Sequence, residues 1–566
     1  MSPTEFTERI SQVEAERDAL ASALAKAVSD REHYREIYLD ALERIKRLEQ
    51  GVLGQKSERL PSDESQLTLQ ILGTLLAGVE PGSEPETTTQ PEPAASEPPK
   101  KEHPTRKKPK GRNRLPEDLP RVVIELIPDE VQRLGLEAFD KLPGEVSETL
   151  ERRPSSMVVV TVIRPRFVLK NSPGAEESEA EADVEAKPEV EFFTHEPIEL
   201  PIERGLAGPS LLADSVVKRF QDHLPLHRIA QIYGREGVHL ARSTLCGWHQ
   251  QLAESLRPLI AAMWKDVLTS VYICTDATGV LVQDKDKCRR GHFWVVVAPE
   301  RHVLYGYSAR HDSEAVDRLL AGYEGYLVAD AHTVYDHLYL DETILEVGCW
   351  AHTRRYFFKA LSSEHVLARE ALALIGELFR LDGEMQKQKQ KQKQKLPPQK
   401  RKEYRDRHMK PLVDRFFAWC DQHAPHVIED TPIFRGIRYA TNQREALRRF
   451  LDDGRLPIHN NISELHLRRQ AIGRKNWLFV GNDEGGEVNA ILVTLLASCQ
   501  MHGLEPWAYL RDLLCLLPNW PARRVLELAP VHWRETLQKP EAQQLLAENV
   551  CRRVVLGELD GHRVEV

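Results

Sequence analysis

The stretch from residue 268 to 330 constrains the fold of this 566-residue chain more than any other. Three segments rich in β-forming residues follow one another closely, at Leu268–Val282, Gly291–Ala298 and Val303–Ser308. The short polar connections between them predict an antiparallel meander. A helical pattern at Ser313–Tyr323 and a buried strand at Gly325–Asp330 complete the unit.

Two aspartates belong to this unit, Asp276 on the first predicted strand and Asp330 at the end of the fourth. Three strands, a helix and a fourth strand, with carboxylates at these places, is the order of the ribonuclease H-like fold. If strand four lies beside strand one, the carboxylates repel each other until divalent cations bind. A pair of Mg²⁺ ions then assists an in-line phosphoryl transfer. Taken singly, Asp276 also fits a turn in Asp-Ala-Thr-Gly, and Asp330 fits a cap of the next helix.

A third carboxylate is expected later in the chain, on a helix that reaches the same site. Glu464 meets this requirement, and basic residues follow it that would hold phosphates: Arg468, Arg469, Arg474 and Lys475. The alternative is a capping box, in which Asn461 and Glu464 only secure the start of the helix. Three other acids compete for the role: Glu445, Asp452 and Asp453.

Hydrophobic periodicity and charge divide the first 114 residues into segments with different predicted structures. Residues 5–50 read as one long helix with a thin apolar stripe, which predicts a coiled coil between subunits or, alternatively, packing on the same chain. An amphipathic segment at 66–78 and a linker at 81–99, predicted to be disordered, follow. The basic stretch 100–114 is interpreted either as a DNA phosphate contact or as a solvated tail. Its DNA-binding candidates are Lys107, Lys108, Lys110 and Arg112.

A possible helix-turn-helix precedes the predicted strands of the main unit. Pro225–Tyr233 would be its first helix and Ala241–His249 its recognition helix, with Arg242, Ser243 and Thr244 facing the major groove of DNA. A generic helical hairpin has the same pattern. Between the basic stretch and this motif, residues 120–170 alternate like short strands.

Charge and cysteine content narrow the class of protein. The formal net charge of −9 is spread unevenly, so local patches say more about partners than the total does. The eight cysteines form no Cys-x-x-Cys pair, which predicts a reducing compartment and no zinc ribbon. The first residues do not resemble a signal peptide, and no apolar run reaches membrane-spanning length. We expect a soluble cytoplasmic protein.

The Gln–Lys alternation at 386–395 is interpreted as a solvated extension or loop.

Several long, uncommon strings, in the same order along the chain, resemble the insertion-sequence-66 type of transposase, bacterial members of the DDE superfamily. The most similar run surrounds Asn460, Asn461 and Glu464. The strings are Leu-Gly-Gln-Lys-Ser-Glu58, Leu-Pro-Glu-Asp-Leu-Pro-Arg121, Arg204-Gly-Leu-Ala-Gly-Pro-Ser-Leu-Leu212, Asp222-His-Leu-Pro-Leu-His227, Gly348-Cys-Trp-Ala-His-Thr-Arg-Arg355, Phe450-Leu-Asp-Asp-Gly-Arg455 and Gly473-Arg-Lys-Asn-Trp-Leu-Phe479.

The resemblance implies that Asp276, Asp330 and Glu464 are the catalytic acids and the ligands of two Mg²⁺ ions, with Mn²⁺ as a substitute. It implies cleavage of transposon ends followed by strand transfer of the 3′-hydroxyl into target DNA. The implied partners are double-stranded DNA, further copies of the chain and companion proteins of the same element, in a bacterial, nucleoid-associated setting. Two positions depart from the pattern. Residues 136–200 hold no cysteine where relatives carry a zinc element, so no zinc is expected, and Ala277 replaces a frequent glutamate.

We therefore predict a multidomain α/β protein with a ribonuclease H-like catalytic core and a large helical insertion. The rival functions are a nuclease of the same fold without strand transfer and a DNA-binding regulator with an inactive core. The predicted parts are a coiled-coil arm at 1–60, a disordered linker with a basic patch at 61–119, a small β domain at 120–203, a helix-turn-helix region at 204–258, the first part of the core at 259–340, the insertion at 341–450, the second part of the core at 451–515 and a C-terminal segment at 516–566.

Overall fold

The computed structural model describes residue 115 and residues 119–153, 156–169, 192–203, 205–285, 287–392, 396–559 and 564–565. The predicted coiled coil, the amphipathic segment at 66–78, the linker and the basic stretch with Lys107, Lys108, Lys110 and Arg112 lie outside these residues. The acidic stretch 176–191, which the sequence predicts to be a loop, and residues 393–395 of the Gln–Lys alternation also lie outside them.

The described part of the chain is a mixed α/β structure in which helices predominate. Its strands are β1 (Arg121–Glu125), β2 (Phe139–Arg153), β3 (Ser156–Leu169), β4 (Phe193–Thr194), β5 (Tyr272–Gln283), β6 (Cys288–Ala298), β7 (His302–Ser308), β8 (Gly325–Val328), β9 (Ile344–Val347), β10 (Phe479–Val480) and β11 (Val564–Glu565). Its α-helices are α1 (Asp129–Leu134), α2 (Pro209–Phe220), α3 (Leu226–Arg235), α4 (Arg242–Val267), α5 (Ser313–Leu320), α6 (Trp350–Ala360), α7 (His365–Gln392), α8 (Pro398–His408), α9 (Lys410–His423), α10 (Pro432–Asn442), α11 (Arg444–Arg448), α12 (Asn461–Trp477), α13 (Asp483–His502), α14 (Pro506–Leu516), α15 (Trp533–Thr536), α16 (Pro540–Glu548) and α17 (Val550–Val555).

The larger sheet has the strand order β7-β6-β5-β8-β9, and β10 also pairs with β5. Strands β5, β6 and β7 form the predicted antiparallel meander. Strand β8 lies parallel to β5, so the expectation that strand four lies beside strand one is confirmed. Strand β9 extends the sheet, although its residues fall within the region predicted to be a helical insertion. Helices α6 to α11 follow it.

Helix α13 covers the β7 edge of this sheet. The hydroxyl of Thr494 accepts the backbone N–H of Tyr305 at 2.9 Å, and that of Ser498 accepts the N–H of Val303 at 3.1 Å. These side chains satisfy strand donors that would otherwise be buried without a partner. The edge is therefore closed to a further strand.

The smaller sheet has the order β11-β1-β3-β2, with β4 beside β3. The short strands predicted for residues 120–170 are in fact dominated by one long hairpin, β2–β3, with a register irregularity between Leu142 and Glu145. Alternate residues of β3 are buried against Val122 and Ile124 of β1. This period of two positions holds the long hairpin on its core.

The helical region between the two sheets differs from its prediction in one respect. The second helix, predicted to end at His249, continues to Val267 as α4. The reason is an apolar stripe that runs through Leu252, Leu256, Leu259 and Met263, all of them buried in the main hydrophobic core. Among the described residues, no helix is both long enough and apolar enough to cross a membrane.

Glu151 of β2 caps the start of α2. Its carboxylate accepts the backbone N–H of Ser210 at 3.1 Å and also bonds the Ser210 hydroxyl. Burial raises the pKa of Glu151 to about 7. Gly208 leaves the space for this contact, because a methyl group at that position would overlap the Glu151 carboxyl group.

Gly208→Ala is therefore expected to lower the free energy of unfolding by about 2–4 kcal/mol, through overlap and loss of the cap. Gly376→Ala is the matched control, since a methyl group there would meet no atom of the described residues within 4 Å beyond the backbone of its own helix turn. In the middle of α7 that change should stabilise the helix by about 0.5–1 kcal/mol. Denaturant unfolding followed by circular dichroism compares the two. Equal effects of both substitutions would contradict the role of Gly208.

Candidate active site

Asp276 and Asp330 come together at the centre of the larger sheet. Asp276 lies within β5, opposite Val295 of β6. Cys274 of β5 pairs with Val328 of β8, and each aspartate follows its member of this pair by two residues. Both side chains line one cavity of about 490 Å³. Asp276 is thus a strand residue, and its interpretation as a turn residue is wrong.

The surroundings of the two carboxylates differ. Asp276 accepts its neighbour's N–H, from Ala277, at 2.7 Å. The pKa of Asp276 is raised to about 7, mainly by burial and also by the charges of Asp330 and Glu464, while the Ala277 N–H and the charge of Arg355 oppose the rise. Asp330 accepts the N–H of His332 at 3.2 Å. The short 3-10 helix that follows, Thr333–Tyr339, is capped by the side chain of His332, so the interpretation of Asp330 as its cap is wrong. Burial and two neighbouring carboxylates therefore disfavour ionisation of Asp276 at this site.

Glu464 lies in the first turn of α12 and interacts with α6. Its Oε1 is 3.1 Å from Nη2 of Arg355 and 3.6 Å from Nε2 of His352. The N-cap of α12 is Asn460, and in the described structure its side chain accepts no N–H from the first turn of the helix. Glu464 therefore does not form a capping box with Asn461.

Asn460 connects the elements that carry these groups. Its side chain is fully buried and donates to the carbonyl of Thr275, next to Asp276, at 2.7 Å. Its backbone N–H donates to Sγ of Cys349, the N-cap of α6, at 3.2 Å. Asn460 thereby joins β5, α6 and the start of α12. The sequence offered only one signal for this role, the Asn-Asn pair ahead of Glu464.

Basic and aromatic side chains that were not predicted from the sequence line the same cavity as the aspartates: Arg290, His292, His311, His332 and Tyr335. The ring of His311 stacks on Trp294 with centroids 4.8 Å apart. Nδ1 of His292 is buried without a hydrogen-bond partner in the described structure. Cationic and neutral donors beside acids suit a phosphate ester. Arg290 and His292 come from β6, His311 from the loop after β7, and His332 and Tyr335 from the turn after β8, so no single sequence motif links them.

The side chains of α12 that are predicted to contact DNA differ in their exposure and in their hydrogen bonds. Arg468 and Lys475 are exposed. Arg474 donates to the hydroxyl of Thr278 at 2.9 Å and to the carbonyl of Gly279, so it fixes the end of α12 against β5.

At the start of α4, Arg242 and Ser243 are exposed and Thr244 is partly buried. Arg242 and Ser243 line a groove of about 640 Å³ together with Arg219 and Trp477. This groove brings the predicted recognition helix next to the end of α12.

The donor chemistry of the three acids fits a hard divalent cation, because carboxylate oxygens are the ligands that Mg²⁺ and Mn²⁺ prefer. Nevertheless, among the described residues no group of three or more His, Cys, Asp or Glu side chains is arranged to hold a metal ion. Glu464 is paired with Arg355 instead. All eight cysteines are unpaired.

The raised pKa of Asp276 predicts a pH-dependent cost. A carboxyl group whose pKa is higher in the folded protein stabilises the fold below its unfolded value of 3.8, and this stability is lost as the pH rises through about 7. In chelator-treated buffer at pH 8, Asp276→Asn should raise the free energy of unfolding by about 1–2 kcal/mol, allowing for partial solvent access. The gain should vanish near pH 4.

Unfolding of the wild-type protein and the variant at both pH values measures this effect. Asp284→Asn removes an exposed carboxylate from the turn after β5 and should change stability by less than about 0.5 kcal/mol. A stabilisation that is the same at pH 8 and pH 4 would show that burial of the charge is not its cause.

Comparison with known proteins gives consistent matches along the chain. A family model described as "Transposase IS66 family" matches residues 204–488, and one described as "IS66 C-terminal element" matches residues 494–531. A third, described as "Transposase C of IS166 homeodomain", matches residues 40–124, mostly outside the described part.

Two similar proteins come from Sinorhizobium fredii (strain NBRC 101917 / NGR234). The uncharacterized protein y4hP is 28% identical over 87% of this chain and 88% of its own length. The uncharacterized protein y4qI is 30% identical over 69% of this chain and 71% of its own.

Proposed function

Because the chain belongs to the IS66 transposase family, we propose that it cleaves the ends of a transposable element and joins the freed 3′-hydroxyl to target DNA. The proposed reaction is a metal-dependent phosphoryl transfer of the DDE type. The proposed catalytic core is the larger sheet with α12, arranged as in ribonuclease H-like enzymes.

The observation that carries this proposal is the convergence of Asp276 and Asp330 on one cavity, with Glu464 near enough to raise the pKa of Asp276. Three acids concentrated at one partly buried site cost stability unless their charge is compensated. Such a cost is common where a protein keeps a group for chemistry. The supporting geometry comes from strands β5 and β8 and from Asn460.

Each acid has a proposed role. Asp276 and Asp330 would bind both divalent ions between them, and Glu464 would complete the ligands of one ion. Bound Mg²⁺ would activate the attacking oxygen and stabilise the leaving oxygen. The basic wall of the cavity, with Arg290 and His311, would orient the phosphate that reacts.

DNA would be held outside the cavity by further basic groups. Arg468 and Lys475 of α12 would contact the backbone, and Arg242, Ser243 and Thr244 at the start of α4 would enter a groove. The basic stretch with Lys107, Lys108, Lys110 and Arg112 would add affinity that depends steeply on salt. Joining two ends requires at least two subunits, for which the predicted coiled coil and companion proteins of the element are the proposed means. Because the proposed enzyme would act on chromosomal DNA, we also propose that it associates with the nucleoid.

A plasmid assay with the purified full-length protein tests the proposal. The substrate carries the DNA that flanks the gene on both sides, where terminal inverted repeats are expected, and the reaction is run with Mg²⁺, with Mn²⁺ and with chelator. Metal-dependent nicks at the repeat ends, followed by strand-transfer products, are expected. Nicks without joining would favour a structure-specific nuclease. Binding of the repeats without any cleavage would favour a DNA-binding regulator.

A further inference from the structure

Arg355 provides a positive charge to the three candidate acids. Its Nη2 lies 3.1 Å from Oε1 of Glu464. Its charge also lowers the pKa of Asp276, against the effects of burial and of the other two acids. The Arg355 side chain is 52% exposed, so its guanidinium group faces solvent as well as the site. Arg355 therefore compensates acids that the proposed reaction would assign to metal ions.

We propose that Arg355 is the counter-ion of Glu464 in the metal-free protein and exchanges this carboxylate for a DNA backbone phosphate when metal and DNA bind. The exchange rests on the proposed function of the three acids. It gives Arg355 two effects of opposite sign. The side chain competes with the metal for Glu464, and it stabilises the bound DNA strand.

The backbone of α6 is fixed, so the exchange involves only the Arg355 side chain. Trp350 anchors the start of the helix, since its backbone N–H donates to the carbonyl of Ile458 at 3.0 Å and its indole N–H to that of Leu447 at 2.9 Å. Thr353 is fully buried on the inner face. An arginine side chain on an anchored helix can reorient without moving the fold.

The chemistry of both partners favours such an exchange. An ion pair at an exposed position contributes little net stability, so the loss of the Glu464 contact is easily offset. A guanidinium group matches a phosphate through two parallel hydrogen bonds, which makes the DNA backbone a better partner than one carboxylate oxygen. His352 also contacts Glu464, at 3.6 Å, but its side chain is only 15% exposed. His352 therefore stays with α6 when Arg355 moves.

A purely structural role, in which Arg355 fastens α6 to α12, explains the contact less well. The two helices are already joined through buried bonds, from Asn460 to Sγ of Cys349 and from Trp350 to Ile458. An exposed ion pair adds little to such a junction.

The test compares the full-length wild-type protein with Arg355→Ala, Arg355→Lys and Arg354→Ala. Calorimetric titration with Mn²⁺ alone, without DNA, measures metal binding. Arg355→Ala should bind Mn²⁺ about two- to fivefold more tightly, because its competitor is gone. At saturating Mn²⁺ the same variant should cleave DNA about 10- to 100-fold more slowly, because a phosphate contact is lost. Arg355→Lys should keep metal affinity near that of the wild type.

Arg354→Ala is the matched control, since it removes the same charge from an exposed neighbouring position of α6. It should leave both measurements close to wild type. Unchanged or weaker Mn²⁺ binding by Arg355→Ala would overturn the exchange, as would an equal gain in Arg354→Ala. Full cleavage by Arg355→Ala would overturn its contact with phosphate. Failure of the wild-type protein to bind Mn²⁺ or to cleave DNA would instead contradict the proposed function, before any variant is compared.

Discussion

Asp276→Asn, Asp330→Asn and Glu464→Gln are each expected to lower metal-dependent strand cleavage by about 10³-fold or more. Each substitution keeps the size of the side chain and removes one negatively charged ligand. The proposed chemistry depends on the position of the metal ions rather than on a covalent enzyme intermediate, so loss of one ligand affects every step. Binding of DNA should largely remain, because the proposed backbone contacts on α12 and at the start of α4 lie outside the acid cluster.

Nicking of a repeat-end plasmid in Mg²⁺ and in Mn²⁺ measures cleavage, and a gel-shift titration with the same DNA measures binding. Asp452→Asn is the matched control: Asp452 is an exposed acid that competed for the third position on sequence grounds alone. It should cleave as the wild type does. Near wild-type cleavage by any one of the three amide variants would remove that residue from the site, and loss of cleavage in Asp452→Asn would reopen the choice of the third acid.

The order of elements in the larger sheet could be predicted because its strands carry a local signal. Continuous runs of β-forming residues in β6 and β7, and a short apolar run in β8, mark strands whatever lies around them. The first and last residues of the predicted elements were less accurate. The first strand was expected from Leu268, whereas β5 begins at Tyr272 because the preceding helix α4 ends at Val267 and is followed by a turn. Helix and strand patterns overlap at such a junction.

Contacts between distant parts of the chain could not be predicted in this way. Strand β11 pairs with β1, from the other end of the described chain, and β9 joins the sheet from a region assigned to helices. His311 and His292 reach the cavity of the acids from different elements. A local pattern specifies that a segment is a strand or a helix, but the partner of that segment depends on packing across the whole fold.

The contacts that the Asn460 side chain makes with distant residues also could not be predicted from a local pattern. Replacement of Asn460 has the second large expected effect. Asn460→Ala should lower cleavage by about 10- to 100-fold, as is usual when a group that orients metal ligands is lost. The buried carbonyl of Thr275 would lose its donor, which should lower the free energy of unfolding by about 1–3 kcal/mol. Both changes have one cause, since this hydrogen bond joins the strand of Asp276 to the helix of Glu464.

Asn461→Ala is the matched control, because the neighbouring side chain is exposed. It should change neither cleavage nor stability to a comparable extent. Titration with Mn²⁺ at a temperature where circular dichroism shows both variants folded separates positioning from stability. A positioning role predicts weaker Mn²⁺ binding by Asn460→Ala although the protein is folded. Wild-type Mn²⁺ affinity in the folded variant would mean that Asn460 only stabilises the junction, and that the acids find their positions without it.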